Sequence, residues 1–311
     1  MRLPTWIRTH LAAVRALLVL TVITGLAYPL AVWAVAMLPG LHDKANGSIV
    51  ESGGRPVASA LIGQQFVDSD GKPLAQYFQG RPSAAGIGYD ALASGASNLG
   101  PESVRDTPAD PALLAQGRSP HDAGFRASLL STVCAESLVV GRREGVDGSR
   151  PFCTPDGVGA VLSVIGPRDS EGNVVDPDRV VSINESCSVD PARPTTPFIR
   201  EYEGVSVECA EFGADYSNGR LVPIRGDAPR HPAVPADAVT SSGSGLDPHI
   251  SPQYADLQAA RVAAARGIGV DQVDRLIADN RQGRTLGFIG EPRVNVVELN
   301  IELDAAYPVP R

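Results

Sequence analysis

The longest interruption in the alternation of polar and apolar residues runs from Ala16 to Leu41, 26 residues without one Asp, Glu, Lys, Arg or His. Its more continuous part, Ala16 to Leu38, predicts a helix of about 35 Å at ~1.5 Å per residue, enough to cross a hydrocarbon core of about 30 Å once. Pro29 lies inside it and predicts a kink near Gly25 to Pro29. Residues 45–100 mix short apolar runs, such as Ser59 to Phe66, with dense turn residues and predict strand or loop with little helix. Period-two runs then follow at Val158 to Ile165, Arg179 to Ile183, Val205 to Cys209 and Arg220 to Ile224, so residues 118–229 read as β-rich. The Ala-rich stretch Tyr254 to Arg266, stopped by Gly267, predicts a helix. Val270, Val273, Leu276 and Ile277 predict a second. The alternation of Val297, Leu299, Ile301 and Leu303 with Glu298, Asn300 and Glu302 predicts a half-buried closing strand.

Charge and cysteine content refine this pattern. Arg2, Arg8 and Arg15 precede the apolar run, while Asp43, Lys44, Glu51 and Arg55 follow it, so the positive-inside rule puts the N-terminus in the cytoplasm and everything after residue 41 outside. The competing reading is a cleaved secretory signal ending at Ala34-Val35-Ala36. The apolar run is longer than such a signal needs and continues through Met37 and Leu38. Both readings place Cys134, Cys153, Cys187 and Cys209 in an oxidising compartment, where an even count predicts two disulfides. Three connectivities are open; Cys134 with Cys153 and Cys187 with Cys209 close the shortest loops. With 27 basic against 35 acidic residues, nucleic acid is not an expected partner.

Few stretches carry chemistry. There is no phosphate-cradling Gly-rich loop with its lysine, and the only lysines are Lys44 and Lys72. Gly86-Ile-Gly-Tyr-Asp-Ala91 matches a dinucleotide fingerprint in letters only, because no buried strand precedes it. The stretch Ser241 to Pro252, SSGSGLDPHISP, offers Ser244, Asp247 and His249, the residue types of a hydrolytic triad. It lacks the Gly-x-Ser-x-Gly turn that strains a nucleophile into place. Asp247 and His249 could be two metal ligands, but no third has a suitable spacing, so no metal is expected. The plainer reading is a turn begun at Asp247-Pro248, with the Asp side chain capping backbone amides. Glu291 and Arg293 flank Pro292 and read as a turn with a surface ion pair.

Six collinear segments carry a family resemblance: TGLAYPL (residues 24–30), ALIGQQF (60–66), YFQGRPSAAGIGYDALASGASNLGP (77–101), VPADAVTSSGSGLDPHISP (234–252), RVAAARG (261–267) and LGFIGEPRVNVVELN (286–300). Together they resemble the C chain of the Kdp potassium-transporting ATPase. Most family members join the SNLGP and VTSSGSG segments by a short helical connection, whereas here residues 118–229 intervene with every cysteine.

The expected organisation is a cytoplasmic N-terminus (1–15), a single transmembrane helix (16–38), an α+β extracytoplasmic domain (42–117 and 230–311) and a β-rich disulfide-bonded insert (118–229). The resemblance implies a non-catalytic, cell-membrane subunit of a potassium pump. Its partners would be a potassium channel-like subunit, a P-type ATPase subunit and the lipid bilayer. It further implies a catalytic chaperone that raises the ATP affinity of the ATP-hydrolysing subunit; ATP is implied only in that shared sense. The chain has no phosphorylation motif of its own. Turn-rich segments cluster at sites rather than cores, so Arg81, Pro82, Ser83, Asn98, Ser242, Asp247, His249, Glu291 and Arg293 are the candidate docking residues. The alternatives are an anchored extracytoplasmic hydrolase using Ser244 and His249, or a separate ligand-binding module.

Overall fold

The computed structural model describes residues 4–186, 196–211 and 213–309, in two compact units, Met1–Leu61 and Ile62–Arg311. In the first unit, α1 (Thr5–Val22) runs through a π-helical turn (Ile23–Ala27) into α2 (Tyr28–Ala36). The wide turn sits where the kink is expected. Pro29 cannot donate to the carbonyl of Gly25 and would crowd it, and the backbone answers by lengthening its bonds, Tyr28 N–H donating to Ile23 O. Helix Thr5–Ala36 is 32 residues, about 48 Å, with no buried residue and with Leu17, Leu18, Ile23 and Leu26 uncovered. Among the described residues it is the one helix long and apolar enough to cross a bilayer. The short α3 (His42–Ala45) leads to a hairpin of β1 (Ile49–Ser52) and β2 (Arg55–Ser59), turned by Gly53 and Gly54, both at positive φ.

The second unit has two layers of different origin. Loops from residue 62 lead through the one-turn α4 (Pro111–Ala115) to α5 (Leu129–Glu144), then to β3 (Val161–Ile165), β4 (Arg179–Ser186), β5 (Glu201–Tyr202), β6 (Val205–Ala210) and β7 (Arg220–Pro223). These strands form one sheet in the order β5-β6-β4-β3-β7, antiparallel except for the parallel pair β4–β6. Leu162, Val164, Val180 and Val207 cluster in one part of it, Val181, Ala210 and Tyr216 in another. The four period-two runs are thus strands. Helix α5 is an addition to the expected picture. Ser128 caps its first turn through Ser131 N–H, and Gly145 ends it at φ 70°. Cys134, on α5, is bridged to Cys153 with a Cα–Cα distance of 5.5 Å, the expected pairing. The expected partner of Cys209, Cys187, lies outside the described residues.

The C-terminal part supplies β8 (His249–Ile250), α6 (Pro252–Arg266), α7 (Val270–Asp279), β9 (Arg281–Gln282), β10 (Arg293–Asn295) and α8 (Val296–Ala306), with a small sheet β8-β10-β9. Ser251 caps α6 through Tyr254 N–H, Pro252 opens it, and Gly267 at φ 66° closes it. Its small residues let neighbours approach one face closely, so Ala255, Ala259, Val262 and Ala263 are buried with Val273 and Ile277 of α7 and Val140 of α5, while Asp256, Ala260 and Ala264 stay exposed on the other.

The expected closing strand is instead α8. Val296, Val297, Leu299, Asn300 and Leu303 are its buried residues, a helical spacing. The same letters fit both periods, and the Asn295 side chain, accepting from Val297 and Glu298 N–H, decides for the helix.

Helix burial also positions an extended segment that belongs to no sheet. Phe78 donates its N–H to Asn300 Oδ1 (2.9 Å) and accepts from Asn300 Nδ2 (2.9 Å). Gln79 does the same with Gln258, at 2.7 and 3.1 Å. Two buried amide side chains thus replace a missing neighbouring strand, leaving no backbone group there unpaired. From this clamp the chain runs directly into Arg81.

Candidate functional site: a cleft between two interlocked loops

The segment 80–95 and the segment 240–252 are woven together by backbone acceptors. Arg81 donates from Nε to Thr240 O (3.2 Å) and from Nη2 to Ser241 O (3.1 Å). Ser83 Oγ donates to Gly245 O (2.6 Å), and Ser94 Oγ and Gly95 N–H both donate to Ser244 O (2.9 Å each). Gly63 N–H donates to Leu246 O at 2.8 Å. Tyr89 fills the space beside Gly63 and Gly80, where any β-carbon would collide with its ring or hydroxyl. Burial, reinforced by the nearby Asp247 charge, pushes the Tyr89 hydroxyl up to about 12. It therefore remains protonated and donates to Arg81 O (2.9 Å).

The third segment joins through sheet pairing. Val294 lies opposite Ile250 and Asn295 opposite His249, which brings the Glu291–Arg293 turn alongside. The result is a cleft of about 530 Å³ lined by Arg81, Ala236, Asp237, Asp247, His249, Ile250, Ser251, Glu291, Pro292 and Arg293. Of the nine candidate residues, Arg81, Asp247, His249, Glu291 and Arg293 therefore share one cavity. Pro82 and Ser83 line a neighbouring cavity of about 320 Å³. Ser242 contacts Ser244 (Oγ–Oγ 3.5 Å), and Asn98 stands exposed in the left-handed region at φ 56°. Sequence reasoning missed Asp237, whose carboxylate accepts Ser251 N–H (2.6 Å) and Oγ–H (2.8 Å) at the start of α6. Nothing in its local sequence distinguishes it from a surface acid.

Asp247 is the electrostatic centre. Its Oδ1 accepts from His249 N–H (3.1 Å) and pairs with His249 Nδ1 (2.8 Å), and Oδ2 is 3.8 Å from Arg81 Nη1. Burial acts to raise its pKa, but the hydrogen bonds from His249 and the attraction of the neighbouring His249 and Arg81 side chains outweigh it and hold the carboxyl below the usual range. This is the expected Asp turn with a specific partner added. The triad does not assemble: Ser244 Oγ accepts Leu246 N–H at 3.1 Å and makes no bond to His249, so the hydrolase reading finds no support. The ion pair expected between Glu291 and Arg293 is also different. Glu291 pairs with Arg284 across the β9–β10 hairpin at 2.7 Å, since the strand pairing brings those two side chains together.

In the neighbouring cavity, burial raises the pKa of Glu136, and Arg143 offsets part of that rise. Since the folded pKa exceeds the unfolded one, the ionised acid destabilises the fold above that folded value, and the cost fades as pH falls towards the ordinary carboxylate range. Glu136→Gln is expected to raise the melting temperature at pH 7 and to lose that advantage in acid. A gain that persists unchanged to low pH would show that ionisation is not its source.

An apolar N-terminal helix, together with a mixed α/β unit that presents a polar, loop-lined cleft, fits a membrane-anchored subunit. The family model described as KdpC, K+-transporting ATPase, c chain, matches residues 10–109 and 218–305, including all three cleft segments. The chain belongs to this family. It is 35% identical over 292 residues, 94% of this chain and 91% of the other, to the potassium-transporting ATPase KdpC subunit of Kineococcus radiotolerans. The KdpC subunit of Mycobacterium tuberculosis is 34% identical over 96% of this chain and 98% of its own length. The Beijerinckia indica protein is 31% identical over 95% and 93%. Alignments this complete extend across most of residues 110–217, which the family model skips. The intervening segment is therefore a feature these relatives share.

Proposed function

We propose that the chain is the small, membrane-anchored, non-catalytic subunit of an ATP-driven potassium uptake complex. The family match on both sides of the intervening segment carries this reading. The helix Thr5–Ala36 would hold it in the cell membrane with the N-terminus cytoplasmic and the unit from Ile62 onward outside. That unit would dock on a potassium channel-like subunit through the cleft of Arg81, Asp247, His249, Glu291 and Arg293, while a P-type subunit hydrolyses ATP. Assembly and stabilisation would be its work, and it would raise the nucleotide affinity of the hydrolysing subunit through the assembled complex rather than by direct contact. Residues 118–229 would be an elaboration of the outer unit, tied to it by α5. Convergence of three separate loops on one cleft favours docking over a linker role, because loops held by this many specific bonds form a pre-ordered surface.

The test is co-expression of the Asp247→Ala, His249→Ala double variant with the other pump subunits. Recovery of the complex should fall several-fold, and uptake should need more potassium. Full retention of both would refute docking through this cleft.

A further inference from the structure

Every carboxylate in the cleft is matched, and one cation is not. Asp247 is held by His249 and faces Arg81, Asp237 is used twice by Ser251, and Glu291 is tied to Arg284. The Arg293 side chain has no hydrogen bond or ion pair among the described residues, and its Nε is buried with no partner. A buried donor left unpaired is costly, and a guanidinium is costlier still than a neutral group. Arg81 lines the same wall. Its Nη1 lies 3.8 Å from Asp247, beyond hydrogen-bond distance, so it retains a free donor. Two arginines with spare, fork-shaped donors on one cleft match the two oxygens of a carboxylate.

We infer that the cleft receives a carboxylate, gripped by Arg293 and Arg81, and that the acid is an Asp or Glu side chain of the subunit docked there. This rests on the docking reading and names its chemistry. The Arg293 Nε is enclosed by the chain itself, so the incoming acid meets the terminal Nη groups; the enclosed Nε is a cost to the fold that substitution relieves while assembly loses its partner, so stability and assembly should respond with opposite signs.

Arg293→Met in the full chain should leave its own melting temperature unchanged or raised, and should cut recovery of the complex about thirtyfold or more, the scale for breaking a buried charge pair. Arg293→Lys, which keeps charge but not the fork, should recover part of that loss. Unaltered recovery with methionine overturns the inference. So does a fall in the isolated chain's own melting temperature, which would make Arg293 a fold-stabilising residue. Sodium acetate added to the isolated full chain distinguishes a free anion from a docked one: a saturating shift of the Arg293 Nε–Hε resonance at low millimolar acetate reassigns the site to a small carboxylate and overturns the subunit assignment. If the wild-type chain fails to co-purify at all, the docking reading falls with it; if only the Arg293 variants behave like wild type, the docking reading stands and the carboxylate falls alone.

Discussion

Replacing Glu144 by alanine is expected to destabilise the unit Ile62–Arg311 by about 3–5 kcal/mol. The Glu144 side chain is 0% exposed, with Oε1 accepting from Arg143 Nε at 2.7 Å and Oε2 from Arg261 Nε at 2.9 Å. It therefore ties α5 to α6. Removing it leaves two largely buried guanidinium groups, 20% and 12% exposed, without their carboxylate, and the penalty comes from those uncompensated charges more than from the lost bonds. Arg261 also donates to Ala75 O and Tyr77 O, so its displacement would loosen the approach to the amide-clamped segment. Urea unfolding should show the loss directly. Pairing Glu144→Met with Arg261→Met should restore part of it, since an apolar pair can replace buried ions. A cost below about 1 kcal/mol for the alanine variant, the range of solvent-exposed pairs, would contradict the buried linkage.

Gly245→Ala should cost roughly 2–5 kcal/mol, from a left-handed residue gaining a β-carbon and from overpacking. Gly245 has φ 68°, and an added β-carbon would lie 2.8 Å from Ala85 N, Ala85 Cβ and Gly95 O. Two of these are backbone atoms, which cannot swing aside. The collision lies where the two loops interlock, so recovery of the pump complex should fall together with stability. Gly243, two residues earlier, has nothing within 4 Å of an added β-carbon and no positive φ. Gly243→Ala is therefore the matched control and should be nearly neutral by thermal unfolding. Equal effects at the two glycines would mean that the loops are not interlocked.

Much of this architecture is legible in the letters because the relevant forces are local. A charge-free run of apolar residues reads directly as helix α1 to α2, and β3, β4, β6 and β7 coincide with the period-two runs because alternation is what a pleated strand requires. Helix α6 is legible in its Ala-rich run stopped by Gly267, and α7 in the spacing of Val270, Val273, Leu276 and Ile277. The failures have equally specific causes. In α8 the apolar residues satisfy both periods; the Asn295 cap that decides for the helix reads equally well as a loop residue, and Asn300 is drawn inward by Phe78, a contact made across the fold. Helix α5 mixes Leu, Ala, Glu and Arg with Ser, Thr, Val and Cys, which are poorer helix formers, and precedes the strand-like runs of a block that reads as β-rich; its caps, Ser128 and Gly145, are the readable signal. Five candidate residues converge on the cleft because turn chemistry is concentrated there. The unmatched Nε of Arg293 was not legible, since being unpaired is a property of everything that surrounds an atom.

The side-chain clamp on Phe78 and Gln79 has a consequence for the order in which the protein can be made. Their hydrogen-bond partners stand 222 and 179 residues further along the chain. Sheet β3–β7 is contiguous in sequence and can begin to condense while synthesis continues, but the Phe78 segment waits until Asn300 has emerged. A nascent chain terminated between the sheet and α8 would thus yield no smaller version of the unit Ile62–Arg311. It would hold a finished sheet beside an open core, a ready substrate for quality-control proteases.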